Sequence, residues 1–178
     1  MSEWDYSVFN EKLGNKTQYG ILSGRPCSGK TELSKMMAAE MGYQVIDMKA
    51  ISEELKAKTN AVREAAGEEP LEGDPPIVDV ENIVVSKMKD KAAKFLFDGW
   101  KYADVKDFLK FVSRFGCPNF VLCLKCDDAA VAPRWQSKYN EDAELDEEKK
   151  EVLKEEGLAA DKVHEAYAEE YKELGGRV

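Results

Sequence analysis

Gly24-Arg25-Pro26-Cys27-Ser28-Gly29-Lys30-Thr31 decides the reading of this chain. It fits G-x-x-x-x-G-K-[ST], the pattern of a loop whose backbone N–H groups cradle phosphates. In such loops the Lys reaches the terminal phosphates and the Thr hydroxyl ligates Mg²⁺. Chemistry dictates the residue types: a side chain at Gly29 would keep the backbone from wrapping an anion, and Lys30 is a mobile point charge. The flanks agree. Tyr19-Gly20-Ile21-Leu22-Ser23 reads as a short buried strand entering the loop. Thr31 to Met41 reads as a helix leaving it, with Leu33, Met36, Met37 and Met41 on one face. The start of that helix turns a partial positive charge toward bound phosphates. The expected ligand is a nucleoside triphosphate.

On the N-terminal side, Trp4, Val8, Phe9 and Leu13 recur at helical spacing, which predicts a helical extension over residues 1–17. On the other side, Tyr43 to Asp47 reads as a second strand. Ala50 to Leu55 starts a helix that fades into polar residues, and 67–76 is a Gly- and Pro-rich loop. Ile77, Val80, Val84 and Met88 mark another helix. Phe95-Leu96-Phe97-Asp98 is a third strand ending in a carboxylate, which would serve Mg²⁺ or its waters if Asp98-Gly99 is more than an ordinary turn. Val105, Phe108, Leu109, Val112 and Phe115 give a helix stopped by Gly116 and Pro118. Asn119 to Leu124 is a fourth strand, Ala129 to Lys138 a helix containing Pro133, 140–144 a polar break and 145–174 an acidic helix interrupted near Gly157. Strands alternating with helices predict a three-layer α/β/α fold of the P-loop NTPase kind over 18–178, with a mostly parallel central sheet. Ligands of such sheets bind beyond the carboxyl ends of the strands, where the loop, Asp47 and Asp98 are expected.

The chain has 178 residues, 43% hydrophobic and 34% charged, enough for one domain with a real core. No apolar run approaches a membrane span, and Met1-Ser2-Glu3-Trp4-Asp5 has neither the basic start nor the apolar core of a signal peptide. The expectation is a cytoplasmic protein without a membrane partner. The formal charge is −9, and residues 139–174, with 14 Asp or Glu against 5 Lys, account for it. That run reads as a solvated helical face and argues against a nucleic-acid partner, because phosphate backbones need basic stripes. Cys123-Leu124-Lys125-Cys126 has no second pair at ligand spacing and the one histidine, His164, is distant, so reduced thiols are expected for Cys27, Cys117, Cys123 and Cys126. In a loop rich in N–H donors beside a Lys, the pKa of Cys27 is expected to fall.

Phe95-Leu96-Phe97-Asp98-Gly99-Trp100, with the upstream loop and the order of elements, resembles the adenylate kinase family of nucleoside monophosphate kinases, which has a strand ending in Leu-Ile-Asp-Gly-aromatic-Pro-Arg at this place. Val121 to Asp128 followed by Arg134 is similar to that family's fourth strand and next helix, where an Arg lies against the adenine of ATP. The resemblance covers residues 18–174. It implies ATP with Mg²⁺ and a nucleoside monophosphate acceptor. Lys30 and Asp98 would be catalytic, Gly24, Arg25, Pro26, Cys27, Ser28, Gly29, Lys30, Thr31 and Arg134 would bind nucleotide, and Thr31 and Asp98 would serve the metal. Residues 41–91 would form the acceptor-side region and 139–148 a short lid-like segment.

Departures from the family pattern fall on the acceptor side. Tyr102 and Glu53 stand where the family has phosphate-binding arginines, and no Gln stands near Val105 and Lys106 to read adenine. Residues 140–156 offer Lys149, Lys150 and Lys154 among carboxylates where the family's lid has arginines. The whole chain has five: Arg25, Arg63, Arg114, Arg134 and Arg177. One missing Arg finger costs about 10³–10⁵ in rate, and lysine lacks the planar fork. Gly175-Gly176-Arg177-Val178 resembles the beginning of the family's fifth strand, so the last strand is expected to be missing or truncated. Three functions stay open: a phosphotransferase of this type with weak or lost activity, a nucleotide-binding structural or regulatory module of a larger assembly, or a P-loop kinase with another acceptor, whose pocket Lys49 and Lys101 would line.

Overall fold

Four short runs rich in aromatic and branched residues form the sheet: β1 (Gln18–Ser23), β2 (Tyr43–Asp47), β3 (Lys94–Asp98) and β4 (Phe120–Cys123). The computed structural model describes residues 17–89, 93–99, 105–116, 118–140, 151, 155, 162 and 165–173. Within them the strands pair in parallel throughout, in the order β2-β3-β1-β4. Parallel neighbours need crossover connections. These are supplied by α1 (Lys30–Met41) between β1 and β2, and by α2 (Met48–Ala65) and α3 (Ile77–Met88) between β2 and β3. Between β3 and β4 runs α4 (Val105–Phe115), and α5 (Asp128–Asn140) follows β4. The chain is thus an α/β protein. The proposed N-terminal helix, the lid positions beyond 140 and the start of a fifth strand lie outside the described residues, apart from Thr17, which is buried and not helical.

Alternation along the strands sends side chains to two faces. Tyr19, Ile21, Ile46, Phe95, Phe97 and Val121 form one core with Met48 and Ile51 of α2, Val80, Val84 and Met88 of α3, and Phe108, Phe111 and Val112 of α4. Tyr167 and Tyr171, from the helical residues 165–173, close the same cluster. At its centre Tyr19, Phe97 and Phe111 meet edge to face, with centroids 5.3–6.0 Å apart. The polar ends of these rings are served too: the Tyr19 hydroxyl donates to the Gly116 carbonyl at 2.6 Å, and the Tyr171 hydroxyl to the Pro118 carbonyl. The other face is smaller, with Leu22 and Leu96 under Met37 of α1 and with Leu33, Tyr43, Phe120 and Leu124 at its margin.

Two elements differ from the sequence expectation. α2 does not fade after Leu55 but runs to Ala65. Asp47 caps it by accepting from the Ala50 N–H at 3.0 Å, and Lys49–Glu53 and Glu54–Lys58 pair at helical spacing along its exposed side. α1 buries Ser34 and Met37, whereas Met36 and Met41 are more than half exposed. Its phase is set by the loop that feeds it, so Ser34 and Met37 meet the sheet while Met36 and Met41 do not. Among the described residues no helix is long and apolar enough to cross a membrane.

Gly20 explains how the second face closes. A Cβ there would lie 2.2–2.7 Å from the Phe120 ring, which is laid over the glycine and reaches Tyr43 at 6.0 Å between centroids. Gly20→Ala is expected to cost about 1–3 kcal/mol as an overpacking change, measured by urea denaturation, and Phe120→Leu in the same chain should recover part of the loss.

Candidate functional site

The loop after β1 enters the left-handed region three times, at Gly24 (φ 141°), Cys27 (φ 61°) and Gly29 (φ 99°). Glycine does so freely, whereas the Cβ of Cys27 incurs about 1–2 kcal/mol of strain. Inside the loop the Ser28 N–H donates to the Arg25 carbonyl at 3.2 Å. The chain then starts α1 with Gly29 as N-cap and no side-chain cap. The N–H groups of a first turn have no carbonyl of their own helix to bond, and the helix dipole adds about half a positive charge there. Ser28 is 5% exposed, and its Oγ has no hydrogen-bond partner among the described residues. Lys30 donates from Nζ to the carbonyls of Gly24 at 2.5 Å and Arg25 at 2.8 Å, which ties the end of the loop to its beginning.

One wall of the site comes from the β4–α5 connection. A Cβ on Gly24 would sit 2.7 Å from the Leu124 carbonyl oxygen, so loop and connection touch backbone to backbone. The Arg25 side chain is 8% exposed, and its Nη1 donates to Asp128 Oδ1 at 2.6 Å and its Nη2 to the Cys126 carbonyl. Cys126 Sγ lies 3.8 Å from the Ser28 carbonyl oxygen. Asp127 caps α5 by accepting from the Ala130 N–H at 2.7 Å. Six residues into the helix's length beyond Asp128, Arg134 turns back, its Nη1 3.4 Å from the Cys27 carbonyl oxygen and 3.9 Å from Cys126 Sγ.

Burial pushes the Cys27 thiol up, and the positive charges of Lys138, Lys30 and Arg134 offset this only in part. That reverses the expectation of a lowered pKa: donors and cations are present, but loss of solvent outweighs them. It also adds Lys138 to the cations around the loop. The sequence carried a signal for it, since Lys138 follows Arg134 by one helical turn.

The other wall is acidic. Asp47 and Asp98 end neighbouring strands in register, on the face that carries α1. Asp98 is buried, and the Ser34 hydroxyl, which bonds the Thr31 carbonyl at 2.8 Å, lies 3.3 Å from its Oδ2. Asp98 is thereby held against the first turn of α1, where Thr31 is exposed. On α2, Lys49 pairs with Glu53 at 3.5 Å, both exposed. Among the described residues no three His, Cys, Asp or Glu side chains converge. Trp100, Lys101, Tyr102, Lys149, Lys150 and Lys154 lie outside the described residues. No protein-family model matches the chain, and no curated protein matches its sequence.

A raised thiol pKa means less thiolate at any given pH. Cys27 should therefore alkylate with iodoacetamide more slowly than free cysteine at pH 8, and unfolding in urea should abolish the difference, both read by peptide mass spectrometry.

Proposed function

We propose that residues 24–31 form a phosphate-binding loop for the triphosphate of ATP with Mg²⁺, in a domain of adenylate kinase type whose acceptor side no longer suits AMP. The observation that carries this reading is the uncapped start of α1, reached through left-handed Gly24, Cys27 and Gly29. Backbone N–H groups converging at a helix N-terminus form an anion site by themselves. The partnerless Ser28 hydroxyl adds a donor inside the same loop. In this reading Lys30 exchanges the carbonyls of Gly24 and Arg25 for the β- and γ-phosphates, and Arg134 lies against the base.

The residues present also fit a magnesium ion. Mg²⁺ keeps several waters and takes one or two protein oxygens beside the phosphates, and the Thr31 hydroxyl and the Asp98 carboxylate, whose residues both meet Ser34 (Thr31 through its backbone carbonyl), are hard oxygen donors. When bound, the ion neutralises charge on the β- and γ-oxygens. Asp98 and Thr31 would orient it, and Lys30 would neutralise the phosphates from the loop side.

Acceptor chemistry is where the reading parts from an ordinary adenylate kinase. A dianionic phosphate needs cationic forks, and among the described residues the acceptor side presents Asp47 and, at the place of a phosphate-binding arginine, Glu53 paired with Lys49. Like charges repel AMP from that side. The second reading, a nucleotide-binding module within a larger assembly, draws on the same observation.

Titration calorimetry tests the first step. Lys30→Ala is expected to weaken ATP–Mg²⁺ binding by at least about tenfold, or 1.4 kcal/mol; equal affinities would rule out a triphosphate site. In a coupled assay with ATP and AMP the purified chain should turn over below about 1 s⁻¹, the lower end of the kinase range. Faster turnover that is lost in Lys30→Ala would overturn the account of the acceptor side.

A further inference from the structure

We infer that Arg25 is a positioning residue rather than a phosphate ligand: its guanidinium clasps the loop to the β4–α5 connection and so holds the loop in its anion-receiving shape. This deepens the nucleotide reading and rests on it for its link to ATP, though the clasp can be tested without ligand.

Six contacts define the clasp. Arg25 reaches across to Asp128 and to the Cys126 carbonyl. Gly24 presses on the Leu124 carbonyl, Leu124 N–H donates to the Ser23 carbonyl at 2.8 Å, and Cys126 Sγ approaches the Ser28 carbonyl. Arg134 then returns from α5 to the Cys27 carbonyl. Two arginines therefore bind the loop and α5 in opposite directions, one from each element. The loop needs such support because Cys27 is held in a strained conformation that persists only where its surroundings over-determine it.

The geometry also speaks against a direct ligand role. A guanidinium that is 8% exposed and spans a carboxylate and a carbonyl in two directions would have to leave both to reach a phosphate. Asp128, by contrast, is 89% exposed, so it can be replaced without disturbing a core. Its function in the pair is to hold the buried cation in place, and a charge-assisted hydrogen bond to Arg is among the strong kinds.

Asp128→Asn, Asp128→Glu, Arg25→Met and the double variant Arg25→Met/Asp128→Asn separate the outcomes. Amide hydrogen exchange of the nucleotide-free protein should show the bonded amides of Ser28 and Leu124 exchanging at least about tenfold faster in Asp128→Asn, with β1 and β3 unchanged. Asp128→Glu should stay near wild type. ATP–Mg²⁺ affinity should fall about tenfold in Asp128→Asn, and the double variant should lose no more than Arg25→Met alone. Unchanged exchange in Asp128→Asn would overturn the clasp, as would a full additional loss in the double variant. Weak binding in Arg25→Met with normal binding in Asp128→Asn would overturn it in favour of a direct phosphate contact. If wild type binds no ATP but exchange responds as expected, the clasp stands and the nucleotide reading falls. If Lys30→Ala weakens binding while exchange does not respond, the reverse holds.

Discussion

The parallel pairing of β1 with β3 on one side and β4 on the other is the constraint from which the site follows. Parallel strands bring all their carboxyl ends to one edge, and the register then decides what meets there. The loop leaves β1 between the end of β3, which delivers Asp98, and the end of β4, which delivers the connection holding Arg25. Had β1 occupied the edge of the sheet, the loop would have only one wall. In the observed order it has an acidic wall and a wall of backbone carbonyls and cations.

The two walls are built by different physics. On the β3 side, a buried carboxylate is held by a serine hydroxyl from the first turns of α1, a contact that spans 64 residues of chain. On the β4 side, close backbone approach is possible because residue 24 is glycine, and a buried guanidinium bonds Asp128 and the Cys126 carbonyl across the same seam. The charge in the loop is divided accordingly. Arg25 bonds a carboxylate and a carbonyl across the seam, while Lys30 donates to the carbonyls of Gly24 and Arg25 and Arg134 approaches the Cys27 carbonyl and the Cys126 thiol.

Much of this architecture was legible in the residues. The alternation of short apolar runs with amphipathic stretches predicts the parallel sheet, and the end of each run predicts where Asp47 and Asp98 stand. Less legible was which side of α1 faces the sheet. Hydrophobicity favours Met36 and Met41, but the loop sets the helix phase and Ser34 is turned in toward a carboxylate that periodicity cannot see. The length of α2 was hidden for a related reason: its outer side is held by ion pairs and a cap rather than by an apolar stripe. The role of the Arg25 side chain was illegible, because the loop pattern leaves that position open and its partner lies 103 residues away.

The position of β1 has a consequence for the order of events during synthesis. Among the four described strands it is made first, yet its neighbours are residues 94–97 and 120–123, so it cannot pair with either until they have been translated. Until then its backbone donors and acceptors and both of its apolar faces are open to other chains, the situation in which long-range pairing is slow and exposed to aggregation. Assembly should therefore be late and concerted, with β2 and α2 unable to fix the central strand and the closing step reserved for β4. The same step that completes the sheet brings Asp128 to Arg25, so this chain can acquire its finished loop only when the last described strand docks.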